Sequence, residues 1–101
     1  MSILVGVKVF ADTAAFSKAL SERAYEFQAV SSRAQGAGAI DHRFGIGDGP
    51  VFVTDNWTSK AAFVESFINP ELQAFIGSVG SKPAADLEIT VGESVDSPDQ
   101  F

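Results

Sequence analysis

The chain reads as an α+β protein of ferredoxin-like order, β-α-β-β-α-β, and three features of the sequence say so. Residues 3–10 form a strand-like run that is apolar on both faces. Two later stretches place apolar residues at helical three-and-four spacing. Between them, two short β-rich segments flank a Gly-Asp-Gly reversal. Two strand-helix-strand units in this order close into a four-stranded antiparallel sheet with both helices on one face. Right-handed crossovers put strands one and three at its centre.

The first strand carries Ile3, Val5, Val7 and Val9 on one face and Leu4, Gly6, Lys8 and Phe10 on the other. A strand with one wet face would alternate cleanly, so this one is expected to be central and covered on both sides. Asp12 or Thr13 can cap a helix running to about Arg33. Its apolar stripe is Phe16, Leu20, Phe27, Val30 and Ala34, with Ser31, Ser32, Gly36 and Gly38 ending it. Strands follow at 39–44 and 51–57, around Gly47-Asp48-Gly49. A phosphate-binding loop is the sharper reading of those glycines, but no Lys-Ser/Thr pair or helix follows them, and a hairpin fits. Thr58 or Ser59 caps a second helical region with Ala62, Phe63 and Phe67 inward. Asn69-Pro70-Glu71 restarts it, because Asn caps, Pro suits the first helical position and Glu favours the positive helix end. Leu72, Phe75, Ile76 and Val79 continue the stripe to a stop at Gly80. After a loop at Ser81-Lys82-Pro83, strand four spans Asp86 to Val95, so the sequence predicts one domain over 1–95 and a polar tail over 96–101.

Composition narrows the function classes. A 101-residue chain with 46% apolar residues and nine Phe has room for a single packed core. It contains no cysteine, which removes disulfides, thiolate chemistry and thiolate metal sites, and suits a cytoplasmic protein. A net charge of −6 with seven scattered basic residues disfavours nucleic acid and anionic membrane as partners. No apolar run approaches the roughly 18–20 residues of a membrane span, and the N-terminus reads as a strand rather than a signal peptide. Two helices cover one sheet face only. The other would leave Leu4, Phe10 and Phe52 in water, so a symmetric homodimer through that open face is expected.

Four residues are candidates for chemistry. His42 is the single histidine and shares a strand face with Ile40 and Phe44. It reads either as a general base or as a satisfied structural side chain. One His without cysteines supports no transition-metal site. Arg23 falls within the apolar stripe of the first helix, so its stem packs there while the guanidinium reaches water, or it enters a pocket to meet Asp55 or an anionic ligand. Asp55 is in phase with Val51, Val53 and Trp57, which makes it a proton-transfer group or one half of a structural pair. Trp57 with the phenylalanines lines an aromatic-binding cavity or fills an aromatic core. The one tyrosine, Tyr25, lies opposite the stripe, and no triad or nucleophile-elbow spacing supports a hydrolase.

The order of elements and the segment Trp57, Ser59, Ala62 and Phe63, followed by Phe67, Asn69 and Pro70, resemble the dimeric α/β-barrel superfamily, specifically antibiotic-biosynthesis-monooxygenase-like proteins. That resemblance implies a dimer whose two sheets face each other in a barrel. It implies cofactor-independent oxygenation of an aromatic or quinol substrate, with Asn56 and Trp57 around it. Members that degrade haem carry a His in the second helix where this chain has Phe67, so haem is not implied. Two functions follow as expectations. One is a monooxygenase-like enzyme in which His42 or Asp55 takes a proton, Asn56 holds an oxyanion, and Arg23 and Trp57 contact substrate. The other is a non-enzymatic dimeric module that binds an apolar small molecule or a protein. A closed cavity with converging polar groups favours the first, and a filled aromatic core the second.

Overall fold

The computed structural model describes residues 2–10, 12–79 and 87–101. Eight elements follow one another: β1 (Ile3–Phe10), α1 (Thr13–Glu22), α2 (Ala24–Ala37), β2 (Ala39–Ile46), β3 (Pro50–Trp57), α3 (Lys60–Phe67), α4 (Pro70–Ser78) and β4 (Leu87–Glu93). The strands form one antiparallel sheet in the order β2-β3-β1-β4, so strands one and three are central as expected. This is the ferredoxin-like arrangement; the second helical region restarts at Asn69 as expected, while the first, expected unbroken, is divided in two at Arg23.

Capping follows the sequence closely. The Asp12 carboxylate accepts from the Ala15 N–H at 3.0 Å, Ser59 Oγ from the Ala62 N–H at 3.1 Å, and Asn69 Oδ1 from the Glu71 N–H at 2.8 Å. Each satisfies one of the amides a helix start leaves bare. Ser31, Ser32 and Gly36 do not end α2, which runs through them to Ala37. Gly38 ends it with φ of 126°, and its N–H reaches back to Ala34 and Gln35 carbonyls. The hairpin is tighter than expected, since the strands extend to Ile46 and from Pro50, and of its two glycines only Gly49 has positive φ (110°). At the far end β4 stops at Glu93, short of Val95. The expected loop at Ser81-Lys82-Pro83, the stop at Gly80 and Asp86 lie outside the described residues.

Alternation sorts the side chains between two faces. Val5, Val7, Val51 and Trp57 turn towards the helices and are 1–7% exposed. Fully burying side chains of this size contributes roughly 1.5–3 kcal/mol each. Two buried clusters result. One joins Val5, Val7, Trp57 and Phe63, and the other joins Phe16, Ala19, Val51 and Val79. The opposite face is more mixed than two apolar faces would give. Leu4 is 51% and Phe52 40% exposed there, the Phe52 ring lies across Gly45, and Lys8 stands 4.0 Å from Glu88.

β2 departs from simple alternation. Ala39 opposes Trp57 while Asp41 opposes Asn56, so Ile40 is an extra, bulged residue, 52% exposed. His42 therefore shares its face with Phe44 and Ala39 rather than with Ile40.

The first helical region breaks at Arg23, whose backbone (φ −121°, ψ 28°) is non-helical. No Gly or Pro marks the break. Instead the guanidinium engages two partners far away in sequence, donating to the Ser78 carbonyl at 3.1 Å and sitting 5.2 Å from the centre of the Phe75 ring, while it also pairs with nearby Glu26. It thus ties the α1–α2 junction to the end of α4. The hydrogen bond from Arg23 lowers the Glu26 pKa below the ordinary glutamate value and raises that of Arg23.

Three substitutions test this fold. Gly38→Ala should destabilise by about 1–3 kcal/mol in urea titration, because positive φ resists a side chain and the added Cβ would meet Thr58 Oγ1 at 2.7 Å. Gly36→Ala, inside α2 with open space around it, should stabilise by about 0.5–1 kcal/mol. Because the folded-state pKa of Glu26 is depressed, its contribution is present at neutral pH and is lost as pH falls through and below the usual glutamate range. Glu26→Gln should therefore flatten the acid limb of a stability–pH curve, and high salt should reduce the difference.

Candidate functional site

The two buried clusters do not merge. Between the sheet and the helices lies a cavity of about 550 Å³ whose wall includes residues of both. Protein interiors are close-packed, with few voids larger than one water. A mostly apolar space of this size falls in the range of small-molecule sites.

Its wall is aromatic. Phe16, Phe27 and Phe44 meet edge-to-face with centroids 5.2–5.9 Å apart, and Phe75 stands against Phe27 at 4.9 Å. Trp57 meets Phe63 at 5.7 Å on the other side. Edge-to-face rings hold one another in fixed orientations and keep the wall open rather than stacked shut.

Three polar side chains converge on this wall. β2 and β3 pair His42 directly opposite Asp55, on the helix-facing side. The His42 Nδ1–H donates to Asp55 Oδ1 at 2.6 Å, and the Trp57 indole N–H donates to Asp55 Oδ2 at 3.2 Å. Both carboxylate oxygens are thus satisfied, which makes a side chain only 11% exposed tolerable among apolar neighbours. A carboxylate holding Nδ1 fixes the ring's tautomer and orientation. Among the described residues nothing engages His42 Nε2, and the ring is braced by Phe44 at 4.7 Å. The arrangement can accept a proton from a molecule in the cavity and stabilise the resulting imidazolium.

The other sequence candidates lie elsewhere. Asn56 follows Asp55 on β3 and so points to the open face, away from Trp57 and the cavity. Its Oδ1 is buried there without a partner among the described residues. Arg23 is not part of the cavity wall. It packs behind Phe75, and the pairing with Asp55 read from helical phase is made by His42 and Trp57 instead. The sequence reading did not single out Arg33 of α2 and Glu71 of α4, which line the cavity and pair at 2.7 Å. They lie 38 positions apart, and no local pattern joins them. Among the described residues no group of three or more His, Asp or Glu side chains is placed to hold a metal ion.

No protein-family model matches the sequence, and no curated protein matches it. Solved structures do match in shape. An antibiotic biosynthesis monooxygenase superposes with a TM-score of 0.66 at 10% identity, over 93% of this chain and 99% of its own. A dimeric ferredoxin-like protein of unknown function from Jannaschia sp. CCS1 gives 0.66 at 14% identity, over 93% and 100%. A variant of SnoaB, a cofactor-independent oxygenase from Streptomyces nogalater, gives 0.57 at 13% identity, over 98% of both chains. At these identities the likeness concerns the fold: this chain has the ferredoxin-like fold of antibiotic-biosynthesis-monooxygenase-like proteins, the family that its sequence resembles.

Proposed function

We propose that the protein is a cofactor-independent monooxygenase-like enzyme acting on a planar aromatic or quinol. One observation carries this reading, the convergence of the His42–Asp55 pair on an aromatic-walled cavity that opens to solvent at one rim. The substrate stacks beside Trp57 and among the phenylalanines. His42, oriented by Asp55, takes the substrate's acidic proton, and the anion left behind is electron-rich enough to react with dioxygen. The apolar wall keeps water from competing. SnoaB, a cofactor-independent oxygenase of the same fold, supports the assignment of reaction class.

The working form is a homodimer closed through the open sheet face. Leu4 and Phe52 supply apolar contact there, Asn56 offers a buried acceptor in need of a donor, and the Jannaschia protein of this fold is dimeric. The protein acts in the cytoplasm, a reading supported by its lack of cysteine. Among the described residues no helix is long and apolar enough to cross a membrane.

A second reading, a module that binds an apolar molecule without converting it, is favoured by the placement of Asn56. With that amide on the opposite face, the expected oxyanion donor is missing from the cavity.

Oxygen uptake with a panel of hydroxyanthrones and naphthoquinols separates the two. The wild type should consume oxygen with at least one, and His42→Ala should lower turnover by about 10²–10⁴-fold. Asp55→Asn should also lower it, since an amide no longer holds the same ring tautomer. Tight binding with no turnover, or turnover that His42→Ala leaves unchanged, refutes the enzyme. For assembly, sedimentation at micromolar concentration should give a dimer that Leu4→Asp converts to monomer, and a wild-type monomer would defeat that part.

A further inference from the structure

Six residues of the cavity wall are themselves exposed, and five of them cluster at one place. Arg33 and Ala37 stand one turn apart on α2. Glu65, Asn69 and Glu71 stand at the α3–α4 junction facing them, while the sixth, His42, sits on the sheet's edge strand. A residue that both lines a cavity and meets solvent marks where the cavity opens. The mouth therefore lies between α2 and the α3–α4 junction.

Among the described residues one side-chain bond crosses that mouth: Arg33 Nη1 donates to Glu71 Oε2 at 2.7 Å. The pair's side chains are 59% and 75% exposed, so water competes with it and salt screens it. Its two ends are anchored differently. Arg33 hangs from the middle of a 14-residue helix, and Glu71 from the first turn of α4, just after the Asn69-Pro70 restart. A weak, solvent-exposed bond between two separate helices suits a closure that opens often.

We infer that the Arg33–Glu71 pair is the gate of the cavity: ligands enter and leave between α2 and the start of α4, and the opening of this pair limits their exchange. The inference rests on the reading of the cavity as a ligand site. It assigns the pair to exchange rate and not to affinity, because the closed pair lies at the rim, with the polar contacts of the bound molecule at His42, Asp55 and Trp57.

Trp57 is the single tryptophan of the chain and part of the cavity wall, so its emission reports occupancy. Stopped-flow mixing with the neutral probe N-phenyl-1-naphthylamine, which accepts energy from tryptophan, gives association and dissociation rates. Glu71→Gln and Arg33→Met should each raise both rates by roughly twofold to fivefold, the range expected of an exposed ion pair, with Kd unchanged. The swap Arg33→Glu with Glu71→Arg should restore wild-type rates. Added salt should speed exchange in the wild type and not in Glu71→Gln. Circular dichroism checks that each variant folds. Quenching with unaltered rates in the variants would overturn the gate alone and place the entrance elsewhere, such as the sheet edge at His42. A change in Kd, carried by the dissociation rate alone in Arg33→Met, would make Arg33 a ligand contact and overturn the gate as well. No quenching of Trp57 in the wild type would overturn the ligand site, and the gate with it.

Discussion

The in-register pairing of β1 with β3 decides which side of the sheet takes Asp55 and Trp57, and the cavity's polar contacts depend on that choice. With Val5 opposite Asp55 and Val7 opposite Val53, the two-residue period of β3 sends Val51, Val53, Asp55 and Trp57 to one side and Phe52, Thr54 and Asn56 to the other. A slip of one residue would exchange these sets, exposing Trp57 and carrying Asp55 away from the cavity. The valines make that slip costly, and the carboxylate takes advantage of the rigidity they impose. Asp55 is held where an isolated charge would be unfavourable because its two oxygens are answered from the same face, by the residue across the sheet and the residue two positions along.

The cavity adds a second constraint. In most small domains the helices settle onto the sheet and fill the interior. Here the core is two clusters with a space between them, one side of which is walled by phenylalanine rings that meet edge to face. The Arg23 staple at the α1–α2 junction supports the same wall from behind, through Phe75. A side chain that looked like a ligand contact on a helical wheel thus acts on the cavity's shape instead.

How much of this was legible in the sequence depended on the range of the interaction. Strand order, the caps at Asp12, Ser59 and Asn69, and the inward phase of Asp55 and Trp57 are local, and the sequence displayed them. The break at Arg23 was not legible, because its cause is a carbonyl and a ring more than fifty residues away. Asn56 entered the candidate site through the resemblance of Asn56 and Trp57 to the family's residues, and in this strand their adjacency sets them on opposite faces. The pairing of His42 with Asp55 needed the register of β2 against β3, which the hairpin length fixes and composition does not. Fold and chemistry also separate here: a fold shared at 10–14% identity accommodates many activities, so what this chain does rests on the residues around its own cavity.

The bulge at Ile40 has a consequence beyond the orientation of His42. β2 is the outer strand of the sheet beside β3, and a straight outer strand is a template on which another chain can add by hydrogen bonding. An extra residue near its start interrupts the ladder and bends the strand, and Asp41 and Arg43 follow at once with opposite charges. The irregularity that turns an imidazole inward also leaves this edge poorly suited to seed fibrillar association, which matters for a chain with so many aromatic side chains and so small a core.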